Sequence, residues 1–556
     1  MRKITISFLS LMLVVNLAYA GGLVTNTNQS TAWARMLVRD ASTSIDAVYY
    51  NPAALTKLSD GIHISLSNQS IFQTQTLTNT YPFLNQKTFK GNVSAPVFPS
   101  LYFAYKTGKW AFSLGFNAIG GGGSAEFASG IPMVEVPVSS MLNEFAPLGV
   151  RGYSLNQYLK GTSIYWGLQL GASFAISDHV SVFAGGRYVL ARNQYTGHIK
   201  DITLRMADGS EVRADDFMTG VGNQAEAGSQ QAAAGASGAT TAGDGLGNWT
   251  SAGAGGYTFD QAVAGGAMTA EQKATFEGAL LQFGFTQDQI DAMTLAQAQS
   301  SFYATATYLT NYSEELHKQA LQLFGGAALM HDMAVDVSQS GSGFTPIIGV
   351  NLSFMDDNLN FGIKYEFKTK MTLTNSTPAG KGFIIGMNAD GTPIEMFPDG
   401  AKTNADMPAM LSVGAKINVS KVVSLQAGVH TYWDGQTGWK NVSTNIYKNF
   451  QEYALGAEFH VTKNFLLSCG YLYAQTGVNP SYQSDLSYSL TTNTAAAGGA
   501  WQLSDLLTLQ FGAYVVSYDP QTIPGSYGGF GYTQTYDKNL WAMSVGLDFN
   551  IGKKKK

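Results

Sequence analysis

Along most of the chain, apolar and polar residues alternate with a period of two, the mark of strands with two unlike faces. In one run Ile164, Trp166, Leu168, Leu170, Ala172, Phe174 and Ile176 share a face, opposite Tyr165, Gly167, Gln169, Gly171, Ser173 and Ala175. In another, Leu359, Phe361, Ile363, Tyr365 and Phe367 stand against Asn360, Gly362, Lys364, Glu366 and Lys368. Strands of soluble domains average about five or six residues, whereas tilted membrane-crossing strands need about 9–11, a length several of these runs reach. The pattern predicts fourteen strands: 62–79, 99–107, 110–121, 162–177, 180–207, 333–355, 359–376, 408–420, 422–435, 450–463, 465–477, 490–504, 506–520 and 539–552. Very short connections alternate with longer ones rich in Gly, Asn, Ser and Pro. That alternation, an even strand number and closure without lipid-exposed edges are the requirements of an outer-membrane barrel. The expected fold is all-β, a 14-stranded antiparallel transmembrane β-barrel.

Two segments break the pattern. One is 21–61. The other, 208–332, joins the fifth and sixth strands. Its front half, Gly222–Gly266, is rich in Gly, Ala and Gln with almost no apolar periodicity, and is expected to be flexible. Its back half reads as helical. Thr269 to Gln272 and Thr286 to Gln289 fit the capping box, and Phe276, Leu280, Leu281, Phe283 and Phe285 supply an apolar stripe, with Phe324 in a further helical stretch over 313–331. Such a stripe serves either a capture groove or a helix packing on the barrel rim.

Composition narrows the class. Only 13% of the residues are charged, about half the usual fraction. Aromatics at 12% exclude a disordered chain. The single long apolar run, Ile4–Leu17, follows Arg2 and Lys3 and precedes Ala18-Tyr19-Ala20. It reads as a signal peptide over 1–20, cleaved before Gly21, and a helical membrane protein is excluded. Cys469 is the one cysteine, so no intramolecular disulfide forms. Without the leader the net charge moves from −5 to −7, and Lys553 to Lys556 form a solvated or artificial tail on a still more acidic body. No basic stripe for nucleic acid exists.

Glycines 120 to 123, after Asn117, end the third strand; glycine there means either a flexible loop start or a kink that opens a passage. Lys364, Glu366, Lys368, Lys416, His430, Glu458 and His460 alternate with lipid-facing residues and should point into the lumen, as a polar site or a self-satisfied network. The lysines of the seventh strand are the first place to seek a carboxylate partner. The spacing of the histidines and acids does not suit a metal, no cofactor is implied, and no nucleophile elbow, phosphate loop or zinc-protease motif occurs. An enzyme is not expected.

Three stretches resemble the FadL-type family of outer-membrane transporters for hydrophobic compounds. They are Asp46 to Leu55, with its Asn51-Pro52-Ala53 tripeptide; Pro99 to Tyr105 with the following Trp110 to Gly123; and Met407 to Gly414. The resemblance implies a hatch at 21–61 plugging a barrel over 62–552, with 208–332 as an external insertion. It implies passive uptake of long-chain fatty acids or other hydrophobic molecules by a monomeric protein of a Gram-negative outer membrane. The ligand would be captured on external loops, bound in the lumen, and released sideways into membrane lipid near the third strand after the hatch rearranges. Basic residues for a fatty-acid carboxylate do not carry over position by position. The alternative is a surface adhesin or structural outer-membrane protein.

Overall fold

The strands are longer than the alternation suggests. The computed structural model describes residues 23–388, 392–439 and 443–552; the expected leader and the lysine tail lie outside these. Fourteen antiparallel strands form the wall: β1 Gly61–Asn79, β2 Thr88–Thr107, β3 Trp110–Phe127, β4 Val150–Ala175, β5 Val180–Met206, β6 Met333–Phe354, β7 Leu359–Glu366, β8 Met410–Asn418, β9 Val423–Tyr432, β10 Phe450–His460, β11 Phe465–Gln475, β12 Thr492–Gln502, β13 Leu507–Tyr518 and β14 Phe530–Gly552. β1 pairs with both β2 and β14, which closes the barrel. The outer face exposes Leu66, Phe112, Leu170, Leu190, Phe344, Leu455, Val515 and Val545, an apolar belt that water does not solvate. Among the described residues no helix is long and apolar enough to cross a membrane.

Four boundaries need correction. β2, β4 and β14 start 11, 12 and 9 residues earlier than expected. In their added ends, such as Thr88–Asn92, the outward face turns polar (Thr88, Lys90, Asn92) while Phe89 stays buried inside, so the ladder continues where the lipid-facing hydrophobic signal stops. β7 ends at Glu366; the chain leaves the ladder, and a short strand at Thr372–Ser376 pairs separately with Lys402–Asn404. Lys368 therefore does not belong to the lumen face of β7.

By contact the chain forms two compact units, the barrel with its N-terminal segment and a helical unit, Ile202–His331. Within the helical unit the expectation of a flexible front half is wrong. Residues Ala214–Ser251 form one helix, α4, against Leu295–Leu329, α8 (α1 to α3 are Thr31–Ala34, Ala47–Tyr50 and Pro132–Glu144; α5 to α7 are Phe259–Ala264, Ala270–Gln282 and Gln287–Asp291). The buried α4 residues Ser229, Ala232, Ala236, Ala239, Gly243 and Leu246 follow a seven-residue repeat. Large side chains of α8 fill the space left by the small ones: Phe324 covers Gly222 and Tyr303 covers Gly243. Small residues at the contact had hidden the periodicity. Both expected capping boxes form, at Thr269 and Thr286.

Residues 23–60 fill the lumen as the hatch. Nearly all are buried, in α1, α2 and a 3-10 turn at Pro52–Lys57. The Asn51-Pro52-Ala53 tripeptide ties this segment to the wall. The Asn51 amide donates to Asn351 Oδ1 on β6 (2.9 Å), while the Pro52 and Ala53 carbonyls accept from Ser173 on β4 (2.6 Å) and Ser181 on β5 (2.8 Å).

Candidate functional site

Where the long connections gather, β3, α3, β4 and β5 build a largely apolar groove. Phe127, Ile131, Met133, Tyr195, Phe383 and Phe397 supply most of its wall. Pro132 starts α3, where its missing N–H costs nothing, and the helix lays Met133 and Val134 on the groove. The wall descends along β3 through Ala125.

Just below Ala125 the barrel wall is interrupted. β2 and β3 pair at Val93 with Ala125 and resume at Ser100 with Asn117; no ladder joins the stretches between. Pro96 and Pro99 deprive β2 of two donors. On β3, Gly121 and Gly123 adopt φ of +89° and +69°, which favours glycine. An added Cβ at Gly120 would lie 2.4 Å from the Val24 carbonyl and one at Gly121 2.5 Å from the Ser163 carbonyl. Gly122 lies between these two. The predicted strand-3 residues thus coincide with a seam in the wall.

The hatch backs this seam from inside. Asn26 N–H donates to the Ile119 carbonyl (2.9 Å), Gly121 N–H donates to the Val24 carbonyl (3.2 Å), and Thr25 bridges Gly120. Asn117 donates to Gln29 Oε1 (2.6 Å), and Gln29 Nε2 donates to the Ala118 carbonyl (2.9 Å).

Deeper in the lumen, charges join hatch to wall. The Arg187 guanidinium on β5 makes a bidentate pair with Glu366 (2.6 and 3.0 Å), and Lys364 donates to Glu366 (2.8 Å) and to the Tyr49 carbonyl (2.7 Å). Both cations lie over the Tyr49 ring. Arg35 of the hatch pairs with Glu458 at 2.7 Å, and Arg39 with Asp46 at 2.7 Å. The His430 ring sits between Asp40 Oδ1 (2.6 Å) and Glu452 Oε2 (2.7 Å). Carboxylates only accept, so both ring nitrogens donate. Burial works against the Asp40 charge, but His430 and the Ser412 hydroxyl hold the carboxyl below the ordinary range. Burial likewise opposes the charge of Asp46, and Arg39 reverses it. Lys364 is thus already engaged by Glu366, and Lys368, off the strand, pairs with Asp406 at 3.1 Å.

A glycine track seats the hatch. On seven consecutive strands, β7 to β13, the inward positions facing it are Gly362, Gly414, Gly428, Gly456, Gly470, Gly498 and Gly512. An added Cβ at the first five would come within 1.8–2.4 Å of Met36 or Asp40 atoms, and at the last two within 2.6–2.8 Å of Arg35. Beyond the hatch, toward the short turns, a polar vestibule is lined by Arg35, Arg39, Lys416, Glu458 and His460.

Of the predicted capture stripe, Phe276, Leu280, Phe283 and Phe285 close the core of the helical unit, with Phe276 and Phe283 against Phe302. Leu281 is exposed, and Phe324 covers Gly222. The lumen residues Lys364, Glu366, His430 and Glu458 do converge with the hatch. Sequence reasoning missed Arg35, Arg39, Asp40, Arg187 and Glu452. Glu452 shares strand parity with Glu458, and three of the others stand in a short segment of a charge-poor chain, so a signal existed. The groove residues left none, since they come from β3, α3, β4, β5, β6 and the loops around 383–397 and 485–486.

No family model matches the chain, and no curated protein matches it. Solved structures do. A Pseudomonas aeruginosa FadL homologue is similar over 95% of this chain and 99% of its own, with 12% identity and a TM-score of 0.53. The P. putida toluene transporter TodX matches over 92% and 95%, with 13% identity and a TM-score of 0.47. The CymD monoaromatic hydrocarbon channel matches over 92% and 94%, with 12% identity and a TM-score of 0.40. The first of these likenesses establishes the fold.

Proposed function

We propose that this chain is a FadL-type channel that carries hydrophobic small molecules passively through the outer membrane of a Gram-negative bacterium, as a monomer and without catalysis. One observation carries the reading: the β3 wall of an apolar groove runs directly into a break in the barrel wall. An apolar ligand gains about 25 cal/mol per Å² by leaving water for such a groove. From there it meets Val24 to Gln29 across the seam. Displacing these residues replaces a few hydrogen bonds and opens a sideways exit, so the ligand enters membrane lipid without crossing the lumen charges or the polar vestibule. The polar sugar layer of the outer leaflet is the barrier that this route avoids. The groove also replaces the helical stripe as the proposed capture surface, since that stripe is spent inside its own unit.

The test is uptake of radiolabelled 1-hexadecanol by cells lacking their own channels of this kind. Expression of the chain should raise the initial rate. Filling Gly120 to Gly123 with leucines should return it to background while heat-modifiable gel mobility stays normal. Uptake unchanged by those leucines refutes the lateral exit.

A further inference from the structure

We infer that the groove selects uncharged hydrophobic molecules and rejects carboxylates, which replaces the fatty-acid expectation; the inference rests on the transport reading above and narrows its substrate class. The described residues that line the groove include no lysine and no arginine. They include an acid, Asp485, whose side chain is buried at the base beside Met133 and Leu486. Its Oδ2 accepts the Met133 N–H at 2.6 Å. A second acid stands directly behind the wall: Glu135 is 2% exposed and accepts from Tyr153 (2.6 Å) and from the groove residue Gln157 (2.7 Å). That pairing turns the Gln157 amide away from a ligand head. His198, the one titratable nitrogen among the described lining residues, is partly exposed and bonded to Asn156 at 3.1 Å.

An incoming carboxylate would therefore lose its hydration without gaining a cation or a free donor, and would sit near one or two acids. A hydroxyl or a bare hydrocarbon meets no such penalty. Burial pushes the Asp485 carboxyl up to about 7, so the repulsion is fullest above neutrality. The cations of the lumen do not compensate. Arg187, Lys364, Arg35 and Arg39 are each engaged by an acid, and Lys538 is buried under the Tyr488 ring with its ammonium on the Tyr488 carbonyl (3.0 Å).

The experiment compares 1-hexadecanol with palmitate, which share a chain and differ in the head group. Each displaces the neutral fluorophore N-phenyl-1-naphthylamine from the full-length protein in amphipols at pH 8. The expected result is at least tenfold tighter competition by hexadecanol, and a tenfold gain for palmitate in Asp485→Asn with hexadecanol within twofold. Glu135→Gln should give a smaller gain of the same sign, and serves if the first variant does not fold. Palmitate competing as well as hexadecanol, or gaining nothing in either folded variant, overturns the selectivity and leaves the transport reading standing. Neither ligand competing, and no hexadecanol uptake in cells, overturns both.

Discussion

The glycine track makes a quantitative prediction at Gly470. A Cβ built there lies 1.8 Å from the Met36 carbonyl oxygen. An ordinary carbon–oxygen contact begins at about 3.3 Å. Gly470→Ala therefore forces hatch and wall apart by about 1.5 Å at Met36. The wall is held by ladder bonds to β10 and β12, so the hatch yields. Overpacking of this kind costs about 1–3 kcal/mol, roughly 5–150-fold in the population of unseated hatch. The control is Gly349→Ala on β6, whose new Cβ would make only ordinary contacts, the nearest at 3.4 Å. Conductance of the purified protein in planar bilayers should rise at least fivefold for Gly470→Ala and stay within twofold for Gly349→Ala. Equal conductance and equal melting of the two variants would refute the idea that the track seats the hatch.

Other outcomes follow from the same physics. Glu366→Gln leaves Arg187 and Lys364 buried without their acid and should cost about 3–5 kcal/mol, read as earlier loss of heat-modifiable mobility. Ala239→Leu on α4 overfills a fully buried contact and should cost about 1–3 kcal/mol, seen as a lower-temperature loss of helical circular dichroism with the barrel signal unchanged. Asp434, in the turn after β9, is buried and pushed up to about 7 by that burial. The folded state then holds a proton that the unfolded state, with an aspartate near 3.9, releases. Stability should fall as pH rises from about 4 to 7 and level off above. Asp434→Asn should melt a few degrees higher than the parent at pH 8 and equally at pH 4; a parent melting curve flat across that range would count against the argument.

The wall was legible because lipid imposes period two on one face of every strand. Leu168 and Leu170 point out and Gln169 points in, as the alternation required. The rule fails where the outer face no longer meets lipid and turns polar, which is why Thr88–Asn92 and Val150–Gly161 escaped. α4 escaped for a different reason: its contact residues are small, and a pattern search weighted by hydrophobicity does not see Gly222 or Ala239. Of the lumen charges, parity placed Lys364, Glu366, His430 and Glu458 correctly. Their roles did not follow, because Asp40 and Arg35, their partners, are hundreds of residues away in sequence. The groove belongs wholly to three-dimensional convergence, since nothing local joins Phe127 to Phe397.

The seating of the hatch also dictates an order of assembly. Its partners include Glu458 on β10, Tyr514 on β13 and Ser544 on β14, the last 513 residues after Thr31. A segment at the start of the chain thus has no complete seat until the final strands exist. Contacts so distant in sequence form late and slowly. The plug can therefore be fully seated only once the last strands of the wall are in place.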